Sequence, residues 1–206
     1  MSFLSEEDRR RIAIAVRKAE QRTAGEFVTV IARRADTYLV IPILIAAAVA
    51  LALPGVLWLF NLAHGFAELY ALQLGAFIVL ALLLSWQRVA VGLVPDRVKT
   101  ERVTRRAREQ FLMRGLHRTR DRAGVLLFVA VAEHRVELIA DEGINARVPP
   151  GTWDAVVAGF TAAVREGRIA DGFTTAIESV ADILAAHFPR AAADVNELPD
   201  RLVELD

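Results

Sequence analysis

The sequence predicts an α/β domain, a small mixed β-sheet flanked by helices, interrupted by a two-helix transmembrane hairpin. Three observations predict it. Two apolar runs without a charged side chain, Leu39 to Ala63 and Leu69 to Trp86, stand in the first half of the 206-residue chain, with the short segment Asn61 to Glu68 joining them. One strand-like segment precedes these runs and two follow. A lone strand has no partner unless it pairs across the insertion, so the flanking segments belong to one sheet.

Taken in order, Ser5-Glu6-Glu7-Asp8 has the form of an N-cap with an acidic first turn, and Ile12, Val16 and Ala19 recur at helical spacing behind it. Thr23-Ala24-Gly25 stops that helix. Glu26 to Ala32 carries the β-branched density of a strand and runs almost straight into the apolar runs. At 1.5 Å rise per residue, about 20 residues cross roughly 30 Å of hydrocarbon, and two consecutive runs of that length argue against a pair of soluble core helices. The predicted spans are 39–62 and 69–87, within an insertion over 38–95. Pro42, Pro54 and Gly55 would break a soluble helix but are tolerated in a bilayer when the freed backbone groups find partners. Asn61 and Gln87 stand at span ends, and Gln73 is the strongly polar side chain in a span interior, where it could hydrogen-bond across the hairpin. Trp58 and Phe60 near one end, with Tyr38 and Trp86 near the other, fit interfacial anchoring.

After the insertion, Val98 to Arg114 reads as a basic helix with Val103, Ala107 and Phe111 on one stripe, ended by Gly115. Gly124 to Val131 is a nearly continuous apolar run of strand length, as a strand covered on both faces requires. Ala132 to Arg135 turns it, and Val136 to Ala140 alternates as a half-buried partner that closes at Asp141-Glu142-Gly143. Trp153, Val156, Val157, Phe160 and Val164 mark one amphipathic helix, and Phe173, Ala176, Ile177, Val180, Ile183 and Leu184 mark another. The domain therefore comprises 1–37 and 96–190, followed by an acidic tail, 191–206, which Leu198, Leu202 and Leu205 could dock.

Charge sets the expected orientation. Net charge is zero, but residues 1–37 carry 8 basic and 6 acidic side chains, 95–122 carry 10 and 4, and 123–206 carry 6 and 14. Arg33 and Arg34 precede the first span, Arg88, Arg97 and Lys99 follow the second, and no Lys or Arg lies between. By the positive-inside rule the chain is a multi-pass protein of a bacterial-type cytoplasmic membrane, with its soluble domain facing the cytoplasm. The first 25 residues lack the apolar core of a secretory signal, so an uncleaved N-terminus is expected. Zero cysteines exclude disulfides, thiolate metal sites and a cysteine nucleophile.

The topology also predicts where a site would be. If the strands starting at Glu26 and Gly124 are parallel, both begin on one edge of the sheet, and the next strand returns to it. Glu26, Asp121, Asp141 and Glu142 then converge there with the hydroxyls of Thr23 and Thr119, a donor set suited to Ca²⁺ or Mg²⁺. Solvated carboxylates pairing with Arg120, Arg122 and Arg147 are the other reading of the same residues, since no spaced ligand loop of the Asp-x-Asp-x-Asp type is present. The four histidines are scattered one per element, against a zinc site. Arg97, Lys99, Arg102, Arg105 and Arg106, directly after a span, are candidates for anionic-lipid contact, with a solvated helix face as the alternative. A basic stretch without interleaved aromatics argues against nucleic acid as a partner.

Three stretches carry a family resemblance: Ala19-Glu20 leading to Thr23-Ala24-Gly25-Glu26-Phe27-Val28-Thr29-Val30, then Thr119-Arg120-Asp121-Arg122-Ala123-Gly124-Val125-Leu126-Leu127-Phe128-Val129, then Asp171-Gly172-Phe173. In order and spacing they resemble the TPM-domain family over the soluble parts from Ser5 to about Pro189, and not over the hairpin. The resemblance implies an α/β sandwich with a small mixed sheet, calcium binding in some members, acid phosphatase activity in plant members, and roles in assembly or maintenance of membrane complexes. Typical members follow a signal peptide and lie outside the cytoplasm, whereas here the spans sit inside the domain. The first functional reading is thus a non-enzymatic factor that binds a membrane-protein partner. The second is a membrane-anchored, metal-assisted phosphatase, for which Asp141 is the candidate nucleophile or metal ligand.

Overall fold

Ser5 starts the first helix as the sequence predicts. Its hydroxyl accepts from Asp8 N at 3.1 Å while the Asp8 carboxylate accepts from Ser5 N at 3.2 Å, so a reciprocal capping box opens α1 (Glu6–Glu20). The structure, a computed structural model, describes residues 4–60, 62, 65–190, 197–199 and 201–205. Ile12, Val16 and Ala19 form the buried stripe of α1. The Glu20 carboxylate reaches forward to accept from Phe27 N at 3.3 Å and so ties the helix end to β1 (Glu26–Ala32).

The chain divides into two compact units, Met1–Ala35 with Thr100–Asp206, and Asp36–Lys99. Within the second, α2 (Val40–Leu59) and α3 (Phe66–Leu84) pack as a helical hairpin, followed by the short α4 (Gln87–Leu93). Both long helices are sufficiently apolar and extended to cross a membrane. Pro54 sits inside α2 without ending it. The amide of Gln73 makes no hydrogen bond across the hairpin among the described residues, contrary to expectation. Tyr38 is buried rather than displayed at an interface, whereas Trp58, Phe60 and Trp86 are exposed. Asn61, Ala63 and His64 lie outside the described residues.

α5 (Asp96–Met113) ends in a left-handed residue, Gly115 at φ 76°, which releases the chain into a single 3₁₀ turn, Leu116–Arg118. β2 (Gly124–Ala130) then lies parallel to β1 in an uninterrupted register, Glu26 opposite Gly124 through Ala32 opposite Ala130. β3 (Arg135–Ala140) pairs antiparallel with β2. After the one-turn α6 (Glu142–Asn145), α7 (Asp154–Arg165) and α8 (Ile169–His187) complete the helices. Asp171-Gly172-Phe173 is the first turn of α8. A Cβ on Gly172 would lie 2.7 Å from the Phe160 ring, so this glycine lets α8 approach α7 closely. Phe160 and Phe173 meet edge to face with ring centroids 4.8 Å apart.

A fourth strand, β4 (Val203–Leu205), joins the parallel side of β1, giving the order β3-β2-β1-β4. The tail docks through its leucines and also through its backbone, with Arg33 N donating to Leu205 O at 3.0 Å. One face of the sheet, with Phe27, Ile31, Val125, Leu127 and Val129, is covered by α1, α7 and α8. The other, with Val28, Val30, Leu126 and Phe128 and continued by Val203 and Leu205 of β4, is covered by Val103, Ala107 and Phe111 of α5 and by Leu198 of the tail. Every residue of β1 and β2 is buried, which is what their continuous apolar sequence requires. Arg11 of α1 is paired with Asp171 of α8 at 2.7 Å, and that carboxylate raises the guanidinium above its ordinary pKa.

Candidate functional site

Three segment ends meet where β1 and β2 begin and β3 finishes. Glu26 N donates to Ala123 O at 3.1 Å, and Asp141 N donates to Gly124 O at 2.9 Å. The Thr119 hydroxyl donates to Leu116 O and accepts from Ala123 N at 3.1 Å, folding the approach to β2 into a tight turn. The turn leaves Arg122 at φ 52°, a left-handed conformation costing a non-glycine residue on the order of 1 kcal/mol.

The Arg122 side chain makes a forked pair with Asp141, Nε to Oδ2 at 2.8 Å and Nη2 to Oδ1 at 3.2 Å. Asp141 is itself the N-cap of α6, its Oδ1 accepting from Glu142 N at 2.8 Å. One buried carboxylate thus fixes both a loop and a helix start. Glu142 lies outside this arrangement, largely exposed, and meets Arg122 Nη2 at 3.4 Å. Gly143 seals it from below: a Cβ there would lie 2.6 Å from Asp121 O and 2.7 Å from Arg122 O. Only glycine fits against those carbonyls.

Glu26 is engaged elsewhere. Its two carboxylate oxygens accept from Glu197 N at 3.0 Å and Leu198 N at 3.2 Å, holding the tail against the start of β1. The Thr23 hydroxyl donates to Phe188 O at 2.7 Å and accepts from Gly25 N, closing the turn before β1. Asp121 is exposed on the loop. The topology therefore brings the predicted residues to one edge, while their side chains take separate tasks. Among the described residues no group of three or more His, Asp or Glu is placed to hold a metal. The donor set does not fit a hard cation: a guanidinium occupies the open side of Asp141, and both Glu26 oxygens accept from amides.

The pairing of Asp141 and Glu142 with Arg122 is the second of the two readings of these residues, and the structure bears it out. What the sequence does not advertise is that Asp141 is buried and that Arg122 reaches it from a left-handed backbone. Glu133 was missed. At the far end of the same strands its Oε1 accepts from Ala35 N at 2.9 Å, fixing the chain where it leaves β1, and its buried Oε2 has no partner among the described residues. On α5, Arg97 and Arg105 are exposed, and Lys99, Arg102 and Arg106 partly so. Lys99 lies 3.6 Å from Asp96, and Arg105 and Arg106 lie 3.7 and 3.3 Å from Glu109.

Residues 86–183 match the family model of the TPM domain. These residues are a TPM domain. The match begins after α3 and ends within α8; β1, the strand between β2 and β4, lies before the hairpin and outside the matched residues. The fold is also similar to the NMR structure of BA42 protein from the psychrophilic bacterium Bizionia argentinensis, with a TM-score of 0.62 and 20% identity, over 98% of this chain and 96% of that one. At that identity the likeness is one of fold. No curated protein matches the chain.

Proposed function

We propose that the chain is a two-span protein of a bacterial-type cytoplasmic membrane, whose TPM domain faces the cytoplasm and acts as a non-enzymatic, partner-binding factor in the assembly or maintenance of a membrane complex. The observation that carries this reading is the hairpin: α3 has no buried residue and α2 buries only Pro42, Ala46 and Ala50, although α2 is apolar throughout and α3 is apolar apart from Glu68 and Gln73. Basic residues on both flanks and none between them support that orientation. Asp141, with both oxygens held by Arg122 and one also by a helix amide, is suited to shaping a recognition surface. Arg97, Lys99, Arg102, Arg105 and Arg106 supply anionic-lipid contact at about 1 kcal/mol per charge that reaches the headgroups, in competition with Asp96 and Glu109.

The test has two arms. Reporters fused after Arg34 and after Leu116 should report cytoplasm, and one near Gly65 should report the outside. Purified protein should give no turnover of a phosphomonoester with Ca²⁺ or Mg²⁺. Turnover abolished by Asp141→Asn would replace this reading with a metal-assisted phosphatase.

A further inference from the structure

Along one side of the hairpin, Tyr70, Gln73, Leu74 and Phe77 of α3 face Ala47, Ala50 and Leu51 of α2 across an open groove with a cavity of about 270 Å³. The α3 residues recur at i, i+3, i+4 and i+7, a single helical stripe. Gln73 is the polar member of an otherwise apolar lining except for the Tyr70 hydroxyl, and its amide is without a hydrogen-bond partner among the described residues. It lies about 10 Å along a helix about 28 Å long, near the middle of a bilayer if α3 spans one. At that depth there is no water to satisfy it.

We infer that this groove is a dimer interface within the membrane, in which Gln73 pairs with Gln73 of the partner subunit. The inference rests on the two-span reading above. A carboxamide carries both a donor and an acceptor, so a two-fold axis through the groove satisfies both amides at once, Nε2–H of each donating to Oε1 of the other. The occupant that matches a glutamine most simply is the same glutamine. Ala47 and Ala50 keep the α2 wall low, so that a second α3 can approach closely, as small residues do at helix contacts in lipid. An acyl chain would fill the apolar part and leave the amide unsatisfied.

The absence of cysteine makes the test direct, because a single introduced thiol has no competitor. Leu74→Cys places a thiol on the groove stripe, and Leu82→Cys places one nine residues beyond Gln73, on the opposite side of α3. Oxidation of native membranes should cross-link Leu74→Cys to twice the chain mass and leave Leu82→Cys monomeric. Adding Gln73→Leu should lower the cross-linked fraction, reflecting an association constant reduced about three- to tenfold, and Gln73→Asn should restore part of it. Leucine only strengthens membrane insertion, so a loss through failed insertion is not expected. Alkaline carbonate extraction separates the two readings. Protein released by carbonate would overturn the span reading and this one with it. Retained protein that gives no homodimer, equal cross-linking from both positions, a cross-link to a different protein, or indifference to Gln73→Leu would each overturn the dimer alone.

Discussion

β2 and α3 contain no charged residue apart from Glu68 in the first turn of the helix, yet β2 is buried at every residue and α3 at none. What separates them is the backbone. A strand must hand its N–H and C=O groups to neighbours, so β2 exists only between β1 and β3, and its two faces recruit helices. A 19-residue helix satisfies its own backbone and needs only an apolar surrounding, which lipid supplies as well as protein. Apolar sequence alone does not say what will cover it; the hydrogen bonding of the backbone does.

The strongest way to break that comparison is to separate the units. Replacing residues 36–99 by a flexible linker from Ala35 to Thr100 should abolish membrane retention while leaving a domain that melts cooperatively. Failure to fold at every linker length would mean that the sheet depends on the hairpin. Next in size are matched truncations: Phe128→Ala in β2 should cost about 3–5 kcal/mol in a denaturant titration, because it empties a fully buried site. Leu82→Ala in α3, where the side chain is 71% exposed, should stay within about 0.5 kcal/mol. An equal loss at both would show that protein covers α3.

Asp141→Ala should destabilise the domain by about 1–2 kcal/mol, through the lost cap and the lost fork with a half-exposed Arg122. Asp141→Asn should cost less, since its amide oxygen still accepts from Glu142 N, and faster hydrogen exchange at Glu142 in the alanine variant alone would confirm the division. The smallest effect sharpens the comparison at helix starts. Ser5→Ala removes the α1 cap and should cost about 1 kcal/mol, whereas α3 begins at Gly65 with no side-chain cap, so Gly65→Ala has no side-chain hydrogen bond to lose and should cost less than Ser5→Ala.

The parts of the fold legible in the sequence were those where local pattern and long-range need agree. The parallel pairing of β1 with β2 followed from an orphan strand before the insertion, and the capping box from four residues. β4 was not legible as a strand, because Val203-Glu204-Leu205 is too short for a periodicity and is made a strand by the open side of β1. α4 was hidden against the end of the second apolar run, which the structure divides at Ser85 and Trp86. At the candidate site the sequence placed Glu26 and Asp141 on one edge, but backbone topology does not reveal which oxygen meets which donor. Glu26 went to the tail and Asp141 to Arg122, a division that only side-chain geometry could make.

The insertion between β1 and β2 has a kinetic side. Glu26 must find Gly124 across the whole hairpin, and long-range parallel pairing of this kind is slow because loop closure precedes any reward. Once α2 and α3 have paired, the residues within them no longer count as free chain, and each halving of the effective loop lowers the closure cost by about 0.6 kcal/mol. The expected outcome is that the intact chain closes its sheet faster than a version whose hairpin is replaced by a disordered linker of the same length, as measured by refolding kinetics.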